Sequence, residues 1–492
     1  MRIAVRNAAF NLSGQLLPML VALIAMPLLV AHAGPDRLGF LGLAWALIGY
    51  FALLDLGLSR VVTRRIAMAE GMGSLSGEMR ILKRLCLQLF AVVAAISAVL
   101  ALVVPASAIV GKAAAPMVVA EARGALLILW ATLPLTVVTG LLRGALEGLQ
   151  QFGRVNLLRA FFGAWSFAAP LAMLPWSNAL GPLTLAIAVG RILSLGAHAY
   201  WAFEALHAHE AGRRSGLAGA SLPPIPEPRI AELFREGGWL TVSNIVGPMM
   251  VTFDRFAIAA IVSLAAASYY FVPQEMSLRM LVIPGAIATT IFPMLARSTR
   301  DGHGHRRIAQ GALLAVTASC LPLCAVIGAL AEPLLSAWMG PSFAQASAQV
   351  AGCLAVGLFA NCCAQVPFAW IQAAGRSDVT GKLHLVQLPV YAVLLLVLTM
   401  HLGIVGTAIA WSVRATADAI LLYFASASLF PEVDLRMSVI PIVMGLILLT
   451  LLGATPLVAD RTLRWAAAAG LFLCSVAIAA LLAGRLAQNI RR

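Results

Sequence analysis

The chain has 492 residues, of which 61% are hydrophobic and 11% are charged, and its mean hydropathy is +0.93. This composition excludes an ordinary soluble globular protein, in which about a quarter of the residues are charged. The formal net charge of +14 does not predict a nucleic-acid partner, because the basic residues follow the distribution typical of membrane proteins.

Long apolar runs recur from one end of the chain to the other. A helix needs roughly 20 apolar residues to cross a hydrocarbon core of about 30 Å, whereas the strands of a membrane β-barrel alternate in hydropathy. Because the runs are continuous, we predict an all-α polytopic membrane protein with about 14 transmembrane helices. The predicted spans are 8–32, 38–59, 85–110, 124–142, 160–177, 180–201, 238–262, 271–296, 308–329, 347–372, 383–402, 404–427, 438–458 and 465–484.

The positions of the basic residues predict the orientation of these spans. Of the 34 Lys and Arg residues, 25 lie in the tails and connections on one side, 5 lie in the opposite connections and 4 lie within spans. Connections rich in Lys and Arg stay on the cytoplasmic side of a membrane. We therefore expect both the N-terminus and the C-terminus to be cytoplasmic.

The longest polar stretch, residues 202–237, divides the chain. It contains GRRSGLAGASLPPIPEPR, whose Pro, Gly and Ser content is typical of a flexible linker. We expect an N-terminal six-helix lobe (1–201), this cytoplasmic linker, and a C-terminal six-helix lobe (238–430). Two additional transmembrane helices and a cytoplasmic tail (431–492) follow.

The end of the linker has a helical pattern of its own. Ile230, Leu233 and Phe234 recur at helical spacing beside charged residues, which predicts a short interfacial helix. The alternative is that these residues are the first turn of span seven.

The first and seventh spans share the pattern S-x4-P-M. It occurs at 13–19 and again at 243–249, six spans apart, so both copies enter the membrane from the same side. Transporters are often built from internal repeats with the substrate site between them. This shared pattern favours a parallel six-plus-six repeat with two added C-terminal spans.

Eight ionisable residues lie inside the predicted spans. Each costs about 2.5–3.5 kcal/mol at the centre of a bilayer, so such residues usually face a bundle interior or a water-filled cavity. Four acids balance four arginines, so their charge alone does not select an anionic or a cationic cargo. The residues are Asp55, Arg191, Asp254, Arg255, Glu275, Arg279, Arg414 and Asp418.

Two pairs among them are four residues apart, Glu275 with Arg279 and Arg414 with Asp418. Residues at this spacing share a helix face, so we expect an ion pair within each. The alternative to a cargo site is that these pairs only fix the register of packed helices.

The other four candidates have no such partner. Asp254 and Arg255 are adjacent, so their side chains point about 100° apart and are expected to meet different neighbouring helices. No acid accompanies Arg191 in its span, so a neighbouring helix, water or an anionic ligand must satisfy it. Asp55 lies near the cytoplasmic end of span two, where the interface is an alternative destination. Arg191 and Arg255 are the stronger cargo candidates.

Motifs for catalysis are missing from the sequence. There is no G-x4-G-K-[ST] phosphate loop, so we do not expect ATP hydrolysis. His303 and His305 suggest a solvated loop rather than a metal site. The seven cysteines lack the spacing of a zinc or disulfide framework. We predict a transporter with no catalytic residue, metal or cofactor, and an enzyme such as a membrane glycosyl polymerase or ligase is disfavoured by the short outer connections.

Several segments resemble one known family. They are LLDLGLSRVVTRRIA (53–67), LLRGALEGLQQFGRVN (141–156), GGWLTVSNIVGPMMVTFDRF (237–256), ASYYFVPQEMSLRMLVIPGAIATTIFPMLAR (267–297), SAWMGPSFA (336–344) and PFAWIQAAGRSD (367–378). Over about residues 5–430 the chain resembles the Wzx-type polysaccharide-biosynthesis flippases, lipid-linked oligosaccharide flippases of the multidrug/oligosaccharidyl-lipid/polysaccharide (MOP) exporter superfamily.

This resemblance implies a MATE-like fold of two six-helix lobes in a V around a central cavity, working by alternating access in the bacterial inner membrane. The implied cargo is an undecaprenyl-diphosphate-linked oligosaccharide for O-antigen, capsule or exopolysaccharide synthesis. A coupling ion, H⁺ or Na⁺, and the polymerase and export proteins of the same pathway would be partners.

The resemblance also gives the intramembrane charges candidate roles. The family's Asp-Arg pair of span seven matches Asp254 and Arg255. Candidates for attracting the diphosphate and sugar acids through charge-assisted hydrogen bonds are Arg191, Arg255, Arg279 and Arg414, and candidates for orienting the cargo or binding the coupling ion are Asp55, Asp254, Glu275 and Asp418. A cation-coupled multidrug antiporter of the same superfamily, which usually has twelve spans, and a lipid II flippase are the alternatives.

Overall fold

The computed structural model describes residues 2–52, 54–55, 57–72, 75–111, 116–214, 250–297, 302–429, 436–455 and 460–491. All regular secondary structure in these ranges is helical, which confirms the predicted all-α class. The predicted linker (202–237) lies outside them from residue 215 onward, including Ile230, Leu233 and Phe234, as do the first residues of span seven and the second copy of the S-x4-P-M pattern (243–249). The first part of the predicted linker, 202–214, is helical instead.

Sixteen helices make up the described chain. They are α1 (Arg2–Ala33), α2 (Pro35–Phe51), α3 (Leu58–Met72), α4 (Leu75–Val103), α5 (Ala106–Val110), α6 (Pro116–Gly148), α7 (Phe152–Met173), α8 (Leu180–Arg214), α9 (250–261), α10 (Leu264–Arg279), α11 (Val282–Arg297), α12 (Gly302–Met339), α13 (Pro341–Ala373), α14 (Ser377–Leu429), α15 (Arg436–Ala454) and α16 (Arg461–Arg491). Within the described ranges, nine helical segments are long and apolar enough to cross a membrane, and α15 adds a shorter apolar one. The protein is therefore a multi-pass membrane protein.

Helix α14 is two spans joined by a sharp bend. Gly403 has φ 60° and ψ −140°, a conformation that favours glycine. Gln387 donates to Asp418 at 2.9 Å, although residues 31 apart in a straight helix would be about 46 Å apart. The hydroxyls of Thr399 and Thr407 also meet, at 2.8 Å. The chain thus folds back at residue 403 into an antiparallel hairpin, as the predicted spans 383–402 and 404–427 require.

Three predicted spans are not continuous helices. Span three (85–110) is interrupted between α4, which ends at Val103, and α5, which begins at Ala106.

Span two (38–59) is wrong at its end, because α2 stops at Phe51 and α3 begins at Leu58. Gly57 in the intervening turn has φ 74°, and its N–H donates to Oδ1 of Asp55 at 3.1 Å. A carboxylate that caps a turn two residues later in this way competes with helix formation.

Span eight (271–296) is likewise broken, between α10 and α11. Pro284 has no N–H to donate to the carbonyl of Met280. The chain there makes shorter turns instead, with the Met280 N–H bonded to Ser277 and the Ile283 N–H bonded to Met280, each at 3.1 Å. Hydropathy did not reveal this break because both halves are apolar.

The chain forms two compact units. Unit 1 lies within Met1–Thr252 and Ser263–Ala265, and unit 2 within Phe253–Val262 and Ala266–Arg492. Helix α6 is central to unit 1, where it packs against α3, α4 and α8, and α13 is central to unit 2, where it packs against α12, α14 and α15. These two helices are the most buried of the candidate spans.

Close packing of α6 on α3 depends on glycine. A Cβ added at Gly144 would lie 2.4 Å from the carbonyl oxygen of Ser59, and Thr63 donates to the carbonyl of Gly144 at 2.9 Å. Gly148, one turn further, faces Thr63 in the same way. Small residues four apart let helix backbones approach closely in membranes.

We expect Gly144→Ala to destabilise the protein by about 1–3 kcal/mol, since the new methyl group forces the two backbones apart. Gly124→Ala is the matched control on the same helix, because a Cβ at that position meets nothing within 4 Å. Thermal unfolding of the purified variants checks this. Equal unfolding temperatures for the two would contradict the proposed packing.

Candidate functional site

The structure divides the eight candidate residues between the units. Asp55 and Arg191 lie in unit 1, and the other six lie in unit 2. Those six side chains come from α9, α10 and the second arm of the α14 hairpin, and they form two neighbouring groups.

The first group surrounds Asp254, which is completely buried. Its Oδ2 accepts hydrogen bonds from the hydroxyl of Tyr270 at 2.6 Å and from Nε2 of Gln274 at 2.7 Å. Its Oδ1 accepts the backbone N–H of Arg255 at 2.8 Å. These partners are neutral, and no basic side chain of the described chain forms an ion pair with Asp254.

The neighbouring Arg255, 4% exposed, is held by an acid. Its Nη2 lies 2.9 Å from Oε2 of Glu275, and its guanidinium stacks over Phe271 at 5.4 Å. The other oxygen of Glu275 pairs with Arg279 at 2.5 Å. The predicted pair of Glu275 and Arg279 is therefore confirmed, and the same carboxylate also neutralises Arg255.

The expectation that Asp254 and Arg255 meet different helices is wrong. Gln274 donates to Asp254 and accepts from Nε of Arg255 at 3.0 Å, so its amide joins both side chains. The contacts come from three residues of α10 that together extend over more than one turn, Tyr270, Gln274 and Glu275. One helix therefore reaches both Asp254 and Arg255, although these two side chains point about 100° apart.

The second group lies within the hairpin, and the predicted ion pair of Arg414 with Asp418 does not form. Asp418 instead accepts from Gln387 at 2.9 Å and lies 3.5 Å from Nε2 of His384. Both partners come from the opposite arm. The bend at residue 403 brings them within reach, which spacing along one helix does not reveal.

Arg414 is left as a buried cation. It is 7% exposed, its guanidinium lies over the rings of Tyr391 and Trp411 at 5.6 and 5.9 Å, and its Nε has no hydrogen-bond partner among the described residues. No carboxylate in the described ranges forms an ion pair with it. Cation–π contacts offset only part of the several kcal/mol that burying an ion costs, so this guanidinium suits an anion.

Tyrosines connect the two groups. Tyr391, under the Arg414 guanidinium, is an electrostatic neighbour of Tyr270, which donates to Asp254. Asp254 and Arg414, neither of which forms a direct ion pair among the described residues, thus lie in adjoining parts of unit 2, with Arg255 and Asp418 as their respective electrostatic neighbours. The arrangement can hold an anion at Arg414 and a cation at Asp254.

In unit 1, Arg191 also has no ion pair within the described residues. It donates from Nη2 to the hydroxyl of Ser166 on α7 at 3.1 Å, which satisfies one of its five N–H groups. The preceding Gly190 lies against the ring of Trp165. Asp55 has a different setting, since it is buried in the turn after α2, caps Gly57 and faces Gly140.

Several uncharged partners of these charges are not among the predicted site residues. Tyr270 and Gln274, and likewise Gln387 and Tyr391, are each four residues apart within apolar runs. Polar side chains at this spacing share a helix face, so this pattern was the available signal. His384 contributes to the same arm of the hairpin.

The chain is similar in sequence to known proteins. Residues 4–299 match the family described as "Polysaccharide biosynthesis protein". The chain is 30% identical over 419 residues to a "Putative O-antigen transporter" of Shigella flexneri, with the match covering 85% of this chain and 96% of that protein.

Solved structures share the fold at low sequence identity. One is an inward-facing MATE family multidrug resistance transporter of the MOP superfamily, with a TM-score of 0.69 at 15% identity, covering 86% of this chain and 98% of that one. Another is the lipid II flippase MurJ in an inward closed conformation, with a TM-score of 0.70 at 11% identity, covering 99% and 100%. The fold is thus MATE-like, and these relatives are transporters and flippases rather than enzymes.

Proposed function

The chain belongs to the polysaccharide biosynthesis protein family, and from that membership we propose that it flips an undecaprenyl-diphosphate-linked oligosaccharide repeat unit across the bacterial inner membrane. After translocation, the repeat unit would be used for O-antigen, capsule or exopolysaccharide synthesis. Like its relatives, the chain is a membrane transporter rather than an enzyme. In this proposal it works by alternating access with both termini in the cytoplasm, and it delivers cargo to the polymerase and export proteins of one pathway.

The observation that carries the proposal is Arg414, which is buried at 7% exposure and forms no direct ion pair in the described ranges. A diphosphate supplies several anionic oxygens and accepts charge-assisted hydrogen bonds from a guanidinium fork. Arg191 offers a second guanidinium without an ion pair, in unit 1. Arg255 and Arg279 already share Glu275, so we assign them a secondary role in attracting the cargo.

The acids are assigned to coupling. Asp254 is a completely buried carboxylate whose hydrogen-bond donors are all neutral, so a proton or a sodium ion would supply the missing positive charge. Asp418, beside His384, is a second candidate for a proton. Glu275 is already neutralised by two arginines and Asp55 caps a turn, so both are assigned to positioning rather than to ion binding.

The proposal is tested in a strain that lacks this chain. We expect surface polymer to be lost and lipid-linked repeat units to accumulate in the inner leaflet, with complementation by the intact chain restoring both. Unchanged glycan together with new sensitivity to cationic dyes would contradict the flippase and favour the multidrug antiporter.

Within that assay, Arg191→Met is expected to lower repeat-unit transport at least about tenfold, the effect of losing one hydrogen bond to a charged group. Arg154→Gln is the matched control in unit 1, because Arg154 forms an exposed ion pair with Glu204 at 2.5 Å. Surface polymer per membrane-inserted protein is the measured quantity. If the two variants gave equal amounts of surface polymer, Arg191 would not belong to the cargo site.

A further inference from the structure

A polar cavity lies in unit 2, and none of the eight candidate residues lines it. Its volume is about 260 Å³, and it is lined by α12, α13, α16 and the residue that follows α15. The predicted spans 308–329, 347–372 and 465–484 end among its lining residues. The cavity therefore lies where the predicted spans end, close to the depth of the lipid headgroups.

Opposite charges meet in this cavity. Glu332 on α12 and Arg464 on α16 are 3.0 Å apart, and both remain accessible, at 48% and 23% exposure. The Arg464 guanidinium also lies 5.5 Å from the ring of Trp465. Gln345 and Gln349, one turn apart on α13, line the opposite wall. The site thus offers an acid, a base, two amides and an aromatic face, with no net charge.

A bend in α12 lies beside the cavity. The helix departs from helical geometry at Leu330 (φ −110°, ψ 16°), and Pro333 has no N–H to donate to the carbonyl of Ala329. Ala329 and Ala331, on either side of Leu330, both line the cavity.

The helices that line the cavity also have exposed apolar side chains outside it. Leu330 and Leu334 on α12 and Leu463 on α16 are exposed and belong to helices long enough to cross a membrane. Since residues two apart on a helix do not face each other, Leu330 and Leu334 point away from Glu332. A lipid at this site would therefore place its polar head in the cavity and its hydrocarbon chains outside it.

We propose that this cavity binds the headgroup of a zwitterionic phospholipid, with the phosphate on Arg464 and the ammonium group on Glu332. A wholly anionic headgroup would be repelled by Glu332, and a wholly cationic one by Arg464. Pockets for drug-sized ligands measure about 300–1,000 Å³, so this smaller cavity suits a headgroup while the acyl chains stay outside. The bound lipid would connect α16 to α12 and α13.

The test uses the purified full chain in detergent, with phosphatidylethanolamine and phosphatidylglycerol as probes and native mass spectrometry as the measurement. Arg464→Gln removes the phosphate partner. Ala348→Phe fills the cavity, which Ala348 lines, and leaves the ion pair in place. Arg37→Gln is the matched control, because Arg37 and Glu121 form an ion pair of 2.9 Å in unit 1.

We expect phosphatidylethanolamine to bind the intact chain and the control, and to bind each cavity variant at least about tenfold more weakly. Having two variants keeps the test valid if one of them does not fold. Retention by both variants would overturn the proposal, as would equally tight binding of phosphatidylglycerol to the intact chain. Displacement by equimolar glycerophosphoethanolamine would assign the site to a soluble zwitterion instead of a lipid and would also overturn it.

Discussion

Replacing Arg414 with methionine is expected to lower repeat-unit transport by about one to two orders of magnitude while the protein still folds and enters the membrane. The loss corresponds to one or more charge-assisted hydrogen bonds to the cargo, each contributing about 1.5–3 kcal/mol. Stability should be unchanged or slightly higher, because the substitution removes a buried charge that forms no ion pair within the described residues. Surface polymer and thermal unfolding are measured on the same variant.

This pair of measurements separates a cargo residue from a structural one. If Arg414 only fixed helix packing, Arg414→Met would lower the unfolding temperature together with transport. Arg376→Gln is the matched control, since Arg376 is an exposed arginine in the same unit that pairs with Asp378 at 3.0 Å. Normal transport by the Arg414 variant would contradict the assignment of Arg414 as the anion site.

The second large effect is expected at Asp254. Asp254→Ala leaves the Tyr270 hydroxyl, the Gln274 amide and the Arg255 backbone N–H without their acceptor in a completely buried place. An unsatisfied buried donor costs about 1–3 kcal/mol, so the three together should lower the free energy of unfolding by roughly 3 kcal/mol or more. We expect little folded protein from this variant.

The variant Asp254→Asn separates the contribution of Asp254 to protein stability from its proposed role in ion coupling. The amide keeps the shape and one acceptor oxygen but cannot carry a negative charge, so we expect the variant to fold and to lose ion-coupled transport. The exposed Asp378→Asn in the same unit is its control. A folded Asp254→Asn protein that transports normally would limit Asp254 to a structural role.

The two ion-pair predictions show what the spacing of residues along a helix does and does not determine. Glu275 and Arg279 pair as their spacing predicts, and Arg414 and Asp418, at the same spacing, do not. Spacing along a helix says which side chains are able to meet. It does not say which competing partners a neighbouring helix presents, and here the opposite arm of the hairpin supplies His384 and Gln387 to Asp418.

The same limit applies to the arginines. Arg255 stands beside an acid inside an apolar run, which makes it a strong cargo candidate, yet the structure pairs it with Glu275 and Gln274. Spacing predicts Asp418 as the partner of Arg414, whereas the structure places Asp418 against the opposite arm of the hairpin. Arg191 remains a cargo candidate, because its span contains no acid and its hydrogen bond within the described residues goes to the hydroxyl of Ser166.

The sequence by itself determined that this is an all-helical membrane protein, where most of its spans lie, and which ionisable residues those spans contain. These properties follow from the cost of placing unpaired backbone and charge in hydrocarbon, which every residue meets independently of its distant neighbours. Only the tertiary structure decided the breaks after Phe51 and Arg279, the partners of Asp254, the isolation of Arg414 and the cavity at Glu332 and Arg464. Each of these depends on side chains brought together from different helices, and hydropathy along the chain carries no information about which helices those are.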